Sequence, residues 1–335
     1  MKNIDINKEI ETKIPLKFNK DGSFRILMIS DIHGGVGYDK EHTVAAIQAL
    51  VDNTKPDLVL LGGDNAGPGI IHIETAEQLK EMLDGIASPM EKAGIPWAHV
   101  YGNHDNNFGL ENKDHQPVYE SFPHCVSKAG PEELWGCGNY VLPIYDENGE
   151  KILFNVFGFD THRNMGHFKN DFGLPDEMQF YICNNGENGN GDTIRFNQLM
   201  WYWQVSEEME KLNGSKIPAL AYMHIPLPEF DLVTHYRDKC KFDGHQLADV
   251  SCTPLNSGAF STFLQRGDVK AIFCGHNHRN DFSAKYCGIT LAYDGFLSYH
   301  ACHMDDIRGG RVLDLNAESP AEFNTYMVRV RDYLK

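Results

Sequence analysis

"FRILMISDIHGG", residues 24 to 35, is an apolar run that stops abruptly in an aspartate, a histidine and two glycines. A short continuous apolar run bounded by turn residues reads as a buried strand. The same arrangement occurs at "DLVLLGGDNAG" (57–67) and "WAHVYGNHDN" (97–106). Between these strands lie helical patterns over 41–54, "EHTVAAIQALVDNT", and 74–94, "ETAEQLKEMLDGIASPMEKAG". Strand, helix, strand, helix order implies a parallel α/β sheet.

The pattern resumes downstream. "YVLPIY" (140–145) and "KILFNVFGFD" (151–160) read as strands, residues 193–214 as a long amphipathic helix, and "IPALAYM" (217–223) as a strand that runs into His224. "VKAIFC" (269–274) then delivers "GHNH". The last three strands, in "GITLAYD", "GGRVLDL" and "EFNTYMVRV", have no helices between them. They suit a second, more antiparallel sheet, so the expectation is two sheets packed face to face with helices outside.

The 335 residues form one domain on this reading, since no linker or repeat divides them. Two segments are candidate cap insertions over the strand ends. One spans 161–192 and contains "NNGENGNG", whose Gly and Asn favour irregular backbone, and the other spans 226–253. Thirty basic against 47 acidic residues leave a net charge of −17 with no basic run, which excludes a surface that tracks nucleic acid. The N-terminal stretch has no continuous apolar segment of the kind an export signal or membrane span needs, so a soluble, cytoplasmic protein without a membrane partner is expected. Eight cysteines without a C-x-x-C pair support neither a zinc ribbon nor a thioredoxin-type motif. Free thiols are the default, and Cys240 with Cys252 is the pair to test for a disulfide in an oxidising compartment.

At the strand ends stand Asp31 and His33, Asp64, Asn103 with His104 and Asp105, His224, and His276 with His278. A lone histidine beside an apolar run is usually structural. Five strand ends that all finish in metal-ligand chemistry are another matter, because the carboxyl ends of parallel strands share one edge. Oxygen and nitrogen ligands without cysteine suit Mn, Fe or Zn. There are too many for one ion. Two divalent transition metal ions about 3.5–4 Å apart, sharing a carboxylate, would use them all and would clamp both oxygens of a phosphoryl displacement.

In order and spacing, "DIH", "GD" at 63–64, "GNHD" at 102–105, the lone His224 and "GHNH" at 275–278 resemble the calcineurin-like metallophosphoesterase superfamily. That resemblance implies a four-layer α/β/β/α sandwich. It also implies one metal on Asp31, His33, Asp64 and His278, and another on Asp64, Asn103, His224 and His276. A hydroxide between the ions would be the nucleophile. His104 would face the substrate as general acid or electrostatic clamp, with Asp105 orienting it. "HIPLPEF", "NSGAF" and "GITLAY" look like the branch labelled purple-acid-phosphatase-like. True purple acid phosphatases have a metal-binding tyrosine where this chain has Gly67 and lack a histidine at the position of His33, so no charge-transfer colour is expected.

The expected activity is phosphomonoester hydrolysis on a small phosphorylated molecule or a phosphoprotein. The alternatives are a phosphodiesterase acting on cyclic nucleotides or other small diesters, and a metal-binding scaffold without catalysis. A nuclease conflicts with the acidic charge. Asn103 and His104 are candidate substrate contacts, as are Arg163 and Arg279, whose cations would favour a monoester.

Overall fold

The computed structural model describes residues 4–67, 73–106, 110–163, 173, 191–253 and 255–334. Most of the 161–192 insertion therefore lies outside the described residues. Among the described residues the strands are β1 (Leu16–Lys17), β2 (Ser23–Ile29), β3 (Leu58–Leu61), β4 (Trp97–His99), β5 (Tyr140–Tyr145), β6 (Ile152–Gly158), β7 (Ala219–Tyr222), β8 (Val269–Cys274), β9 (Ser283–Tyr286), β10 (Ile289–Tyr293), β11 (Gly309–Asn316) and β12 (Phe323–Arg329). They form a seven-stranded sheet ordered β1-β5-β6-β7-β8-β10-β9 and a five-stranded sheet ordered β12-β11-β2-β3-β4.

Strand β2 shows why the sheets stack. Successive side chains of a strand face opposite ways. Ile26 and Met28 point into the cluster between the sheets, with Leu60, Phe154, Val156 and Phe273. Leu27 and Ile29 point outward onto Ile47, Leu50 and Leu83 of the helices Lys40–Thr54 and Ala76–Ile86. On the far side, helix Phe196–Asn213 lays Trp201, Tyr202, Val205 and Met209 over Phe157, Ala221 and Ile272. Each such side chain contributes about 1.5–3 kcal/mol by leaving water. The layers are thus helix, sheet, sheet, helix, as expected.

Two expectations need correction, and the cysteine default holds. The tail strands do not share one sheet: β10 pairs parallel with β8, through Thr290 opposite Ala271, and only β11 and β12 add antiparallel strands beside β2. Buried on both faces, β10 has the character of a central parallel strand. The helix expected over 74–94 breaks at Ala87 into Ala76–Ile86 and Ser88–Ala93. Pro89 has no N–H to bond the Gly85 carbonyl and its ring crowds that carbonyl, so the first ladder ends, while in the first turn of the second helix the missing N–H costs nothing. Cys240 and Cys252 are both free thiols, as are the other described cysteines, because Cys240 packs into the apolar cluster under the seven-stranded sheet while Cys252 sits half-buried outside it.

Parallel strands β2, β3 and β4 in one sheet, and β6, β7, β8 and β10 in the other, end at a common edge. No described helix is long and apolar enough to cross a membrane.

Candidate metal centre

Each ligand sits just beyond a strand end: Asp31 and His33 after β2, Asp64 after β3, Asn103 after β4, His224 after β7, His276 and His278 after β8. They meet as two clusters, Asp31 with His33 and His278, and Asp64 with His224 and His276, each with its ligand atoms within 4.8 Å of one another. In the first, the Nε2 atoms of His33 and His278 are 2.9 Å apart, and His278 Nε2 is 3.1 Å from Asp31 Oδ1. In the second, His224 Nε2 is 3.2 Å from Asp64 Oδ2. The same Asp64 oxygen is 3.9 Å from His33 Nε2, so this carboxylate stands between the clusters.

Backbone groups fix which atoms are left for metal. The Nδ1 of His224 donates to the Gly62 carbonyl at 2.8 Å, and that of His33 to the Gly67 carbonyl. A carbonyl only accepts, so Nδ1 carries a proton and Nε2 is the nitrogen of each ring turned inward, the usual outer support of a ligating histidine. Asp31 Oδ2 takes the Ser30 hydroxyl at 2.7 Å and the His276 N–H at 3.0 Å, while Asp64 Oδ1 takes the His104 N–H at 2.8 Å. What remains, among the described residues, is Asn103 Oδ1 and His276 Nδ1, buried without hydrogen-bond partners, together with Asp31 Oδ1 and His224 Nε2, which face only the other ligands, His278 at 3.1 Å and Asp64 at 3.2 Å. Such orphans are costly in a native interior. A pair of cations would satisfy all four, and the donor set suits them.

The backbone is strained here as well. Asp31, His33, Asp64 and His276 have φ of 53°, 51°, 49° and 73°, in the left-handed region that side chains with a Cβ avoid. The glycines beside them allow close approach: a Cβ on Gly102 would lie 2.2 Å from Asp64 Oδ1, and one on Gly275 would lie 1.9 Å from Ser30 Oγ.

Electrostatics divide the ligands in two. Burial favours neutral carboxyls, yet the imidazoles of His278 and His224 hold Asp31 at about 2. Asp64 is likewise held far below the usual carboxylate range, against burial, by His224. Burial would also depress His224 and His278, but Asp64 and Asp31 carry His224 up to about 10, and Asp31 does the same for His278. His33 falls to about 4 and His276 to about 3, both chiefly through burial. Without metal, two protonated imidazoles therefore sit against two carboxylates, and two protons occupy the place of two cations.

A family model described as calcineurin-like phosphoesterase matches residues 24–280, from the start of β2 to just past His278. The chain belongs to that family. Among curated relatives, this calcineurin-like chain is 30% identical over 319 residues to an Arabidopsis thaliana protein described as probable inactive purple acid phosphatase 14, covering 85% of this chain and 73% of the relative. It is 27% identical over 293 residues to phosphatase DCR2 of Saccharomyces cerevisiae, covering 80% of this chain and 46% of that protein. A solved dimetal phosphatase from Danio rerio shares the fold at a TM-score of 0.54 and 13% identity, across 91% of this chain and 98% of that one.

The remaining candidates of this calcineurin-like chain fall out as follows. His104 is half-buried, its ring 5.6 Å from that of His33. Asp105 is buried, and its two oxygens take the N–H groups of Ala66 (2.8 Å) and Gly102 (2.7 Å), so it ties the Asp64 loop to the Asn103 loop. Burial and the nearby Asp64 push its carboxyl up to about 7. Arg163 pairs with Glu111, and the side chain of Arg279 is exposed. Two supporting acids escaped the sequence reading. Asp294, buried after β10, accepts from Tyr222 Oη at 2.7 Å behind Gly62, and Asp160, buried after β6, holds the loop at 136–137. Both carry the signal that exposed the ligands, an apolar run that ends in an acid.

Proposed function

We propose that this chain is a two-metal phosphomonoesterase. The observation that carries the proposal is Asp64 set between two three-residue clusters whose inward atoms face one another in a buried centre. Asp31, His33 and His278 would hold one ion, His224, His276 and Asn103 the other, and Asp64 both. Two bound divalent ions supply the positive charge that polarises a phosphate ester and acidifies water. Asn103 and His104 would face the ester, with His104 positioned to protonate the departing oxygen. Asp105 serves them through the backbone it clamps. The chain is read as a single domain in which the segments 161–192 and 226–253 are insertions.

Similarity to the yeast phosphatase favours a monoester over a diester. Arg163 lines a cavity beside the His104 loop and is kept as a substrate contact, and Arg279 is left on the rim. A scaffold without catalysis is disfavoured, since every ligand and His104 are present. The test is hydrolysis of p-nitrophenyl phosphate against its bis-ester by protein stripped of metal and reloaded with Mn, Zn or Fe. Faster monoester turnover supports the proposal. Preference for the diester replaces it with a phosphodiesterase, and two bound ions without turnover replace it with a scaffold.

A further inference from the structure

Asn277 stands between the two ligand histidines of "GHNH", and the backbone on either side of it makes two consecutive turns. Its N–H donates to the Gly275 carbonyl at 2.9 Å across His276, whose φ is 73°. That is the rare, strained hand of γ-turn, which persists only where its surroundings over-determine it. The Asn277 carbonyl then accepts the Asn280 N–H at 2.8 Å, closing a second turn with His278 at its first inner position. Asn277 therefore ends one turn and begins the next, and its place sets how the rings of His276 and His278 diverge.

The side chain holds this junction through two other elements. Asn277 Oδ1 accepts Tyr293 Oη at 2.8 Å, from the end of β10, and Ser251 N at 3.2 Å, from the segment 226–253. A backbone N–H can only donate, so the amide oxygen is the atom that faces both. The following residues extend the clamp. Asn280 Oδ1 accepts the N–H groups of Leu247 and Ala248, each at 3.0 Å, and Asp281 Oδ1 accepts that of His245 at 2.6 Å. Asp243 and Ser283 exchange backbone hydrogen bonds at 2.9 and 2.7 Å. Residues 243–251 thus run alongside 277–283, fastened by acceptors on the loop that carries the ligands.

We propose that Asn277 is a positioning residue for both ions and that residues 243–251 are the brace that holds it, so that this segment and the metal centre stabilise one another. This rests on the two-metal reading, in which His276 and His278 serve different ions. Removing the Oδ1 acceptor frees both turns at once, so both ions are affected, whereas loss of either histidine alone affects one. By linkage, ions that fix the two rings also tighten the brace.

The experiment counts ions per chain by equilibrium dialysis in wild type, Asn277→Ala and Asn277→Asp, with cobalt spectra to tell the sites apart, and follows backbone hydrogen exchange over 243–251 with and without metal. Asn277→Ala is expected to weaken both ions about tenfold or more, the usual effect of removing support behind a ligand. Asn277→Asp, which still accepts from both donors, is expected to retain both ions. In wild type, metal is expected to slow exchange at His245, Leu247, Ala248 and Ser251 by roughly tenfold. A merely structural Asn277 would lower unfolding stability and leave both affinities unchanged. That result would overturn the proposal, as would loss of a single ion, an equal loss in Asn277→Asp, or exchange over 243–251 that metal leaves unchanged in wild type. Fewer than two ions on wild type would overturn the two-metal reading and this proposal with it, while two ions held equally by wild type and Asn277→Ala would overturn this proposal alone.

Discussion

Gly275→Ala isolates the close packing that places the ligands. The φ of Gly275 is not in the left-handed region, so the substitution acts through space alone. The new Cβ would sit 1.9 Å from Ser30 Oγ and 2.7 Å from Asp31 Oδ2. Ser30 must turn away and give up its 2.7 Å hydrogen bond to the Asp31 carboxylate. Overpacking costs about 1–3 kcal/mol. A hydrogen bond to a charged group is worth about 1.5–3 kcal/mol. The expected loss in denaturant unfolding of the metal-free protein is therefore about 2.5–6 kcal/mol, with at least roughly tenfold weaker binding of the ion that Asp31 holds.

Ser30→Ala alone is expected to cost about 1.5–3 kcal/mol, chiefly the bond to Asp31, since the contact to the Gly62 carbonyl is longer at 3.2 Å. Because that bond is already lost in Gly275→Ala, and because removing Oγ takes away the closest of the methyl's contacts while Asp31 Oδ2 at 2.7 Å and Ser30 Cβ at 2.9 Å remain, the double variant is expected to be no less stable than Gly275→Ala. The coupling in a double-mutant cycle would then be favourable by about 1.5 kcal/mol or more. Simple additivity would refute the argument, since it would mean that the methyl never meets Ser30.

Asp64→Ala is expected to weaken both metal sites, measured as ions per chain after dialysis; loss of one ion with the other at unchanged affinity would remove its bridging role. His278→Ala and His276→Ala are expected to impair different ions, seen as the loss of different bands in cobalt-loaded protein. His104→Ala is expected to slow alkyl phosphates by roughly 10²–10⁴ and p-nitrophenyl phosphate much less, because a good leaving group needs little protonation; equal losses with both metals intact would assign it to charge stabilisation instead. His224 and His278, raised to about 10 in the metal-free protein, keep their protons from neutral pH to about 9 and must lose them to bind metal. Loading in that window is expected to release about two protons per chain, with affinity rising as pH rises, by calorimetry in buffers of different ionisation heat; no release would contradict the charge distribution.

The ligands could be read from the sequence because strand ends announce themselves: "ILMI" (26–29) is apolar on both faces and Asp31 is not, so the change of solvent preference is abrupt. The same contrast marks Asp294 and Asp160, whose roles emerge only when Tyr222 and Cys137 are seen beside them. Sheet membership was less accessible. β10 and β11 are both short apolar runs, and nothing local tells β10 to pair with β8 while β11 turns to β2. The break at Ala87 was signalled by Pro89 and masked by a helical period on either side. The cavity beside the His104 loop had no signature at all, since Asn106, Asn112, Trp135 and Asp160, which line it, come from separate segments without shared periodicity.

The left-handed backbone at Asp31, His33, Asp64 and His276 has a bearing on how such a chain can age. At most surface and core positions a random substitution lowers stability. At these four, glycine or asparagine would relax the main chain. In a lineage where hydrolysis is no longer under selection, the ligand set is then where drift meets least resistance, and the sandwich beneath it can outlast the chemistry.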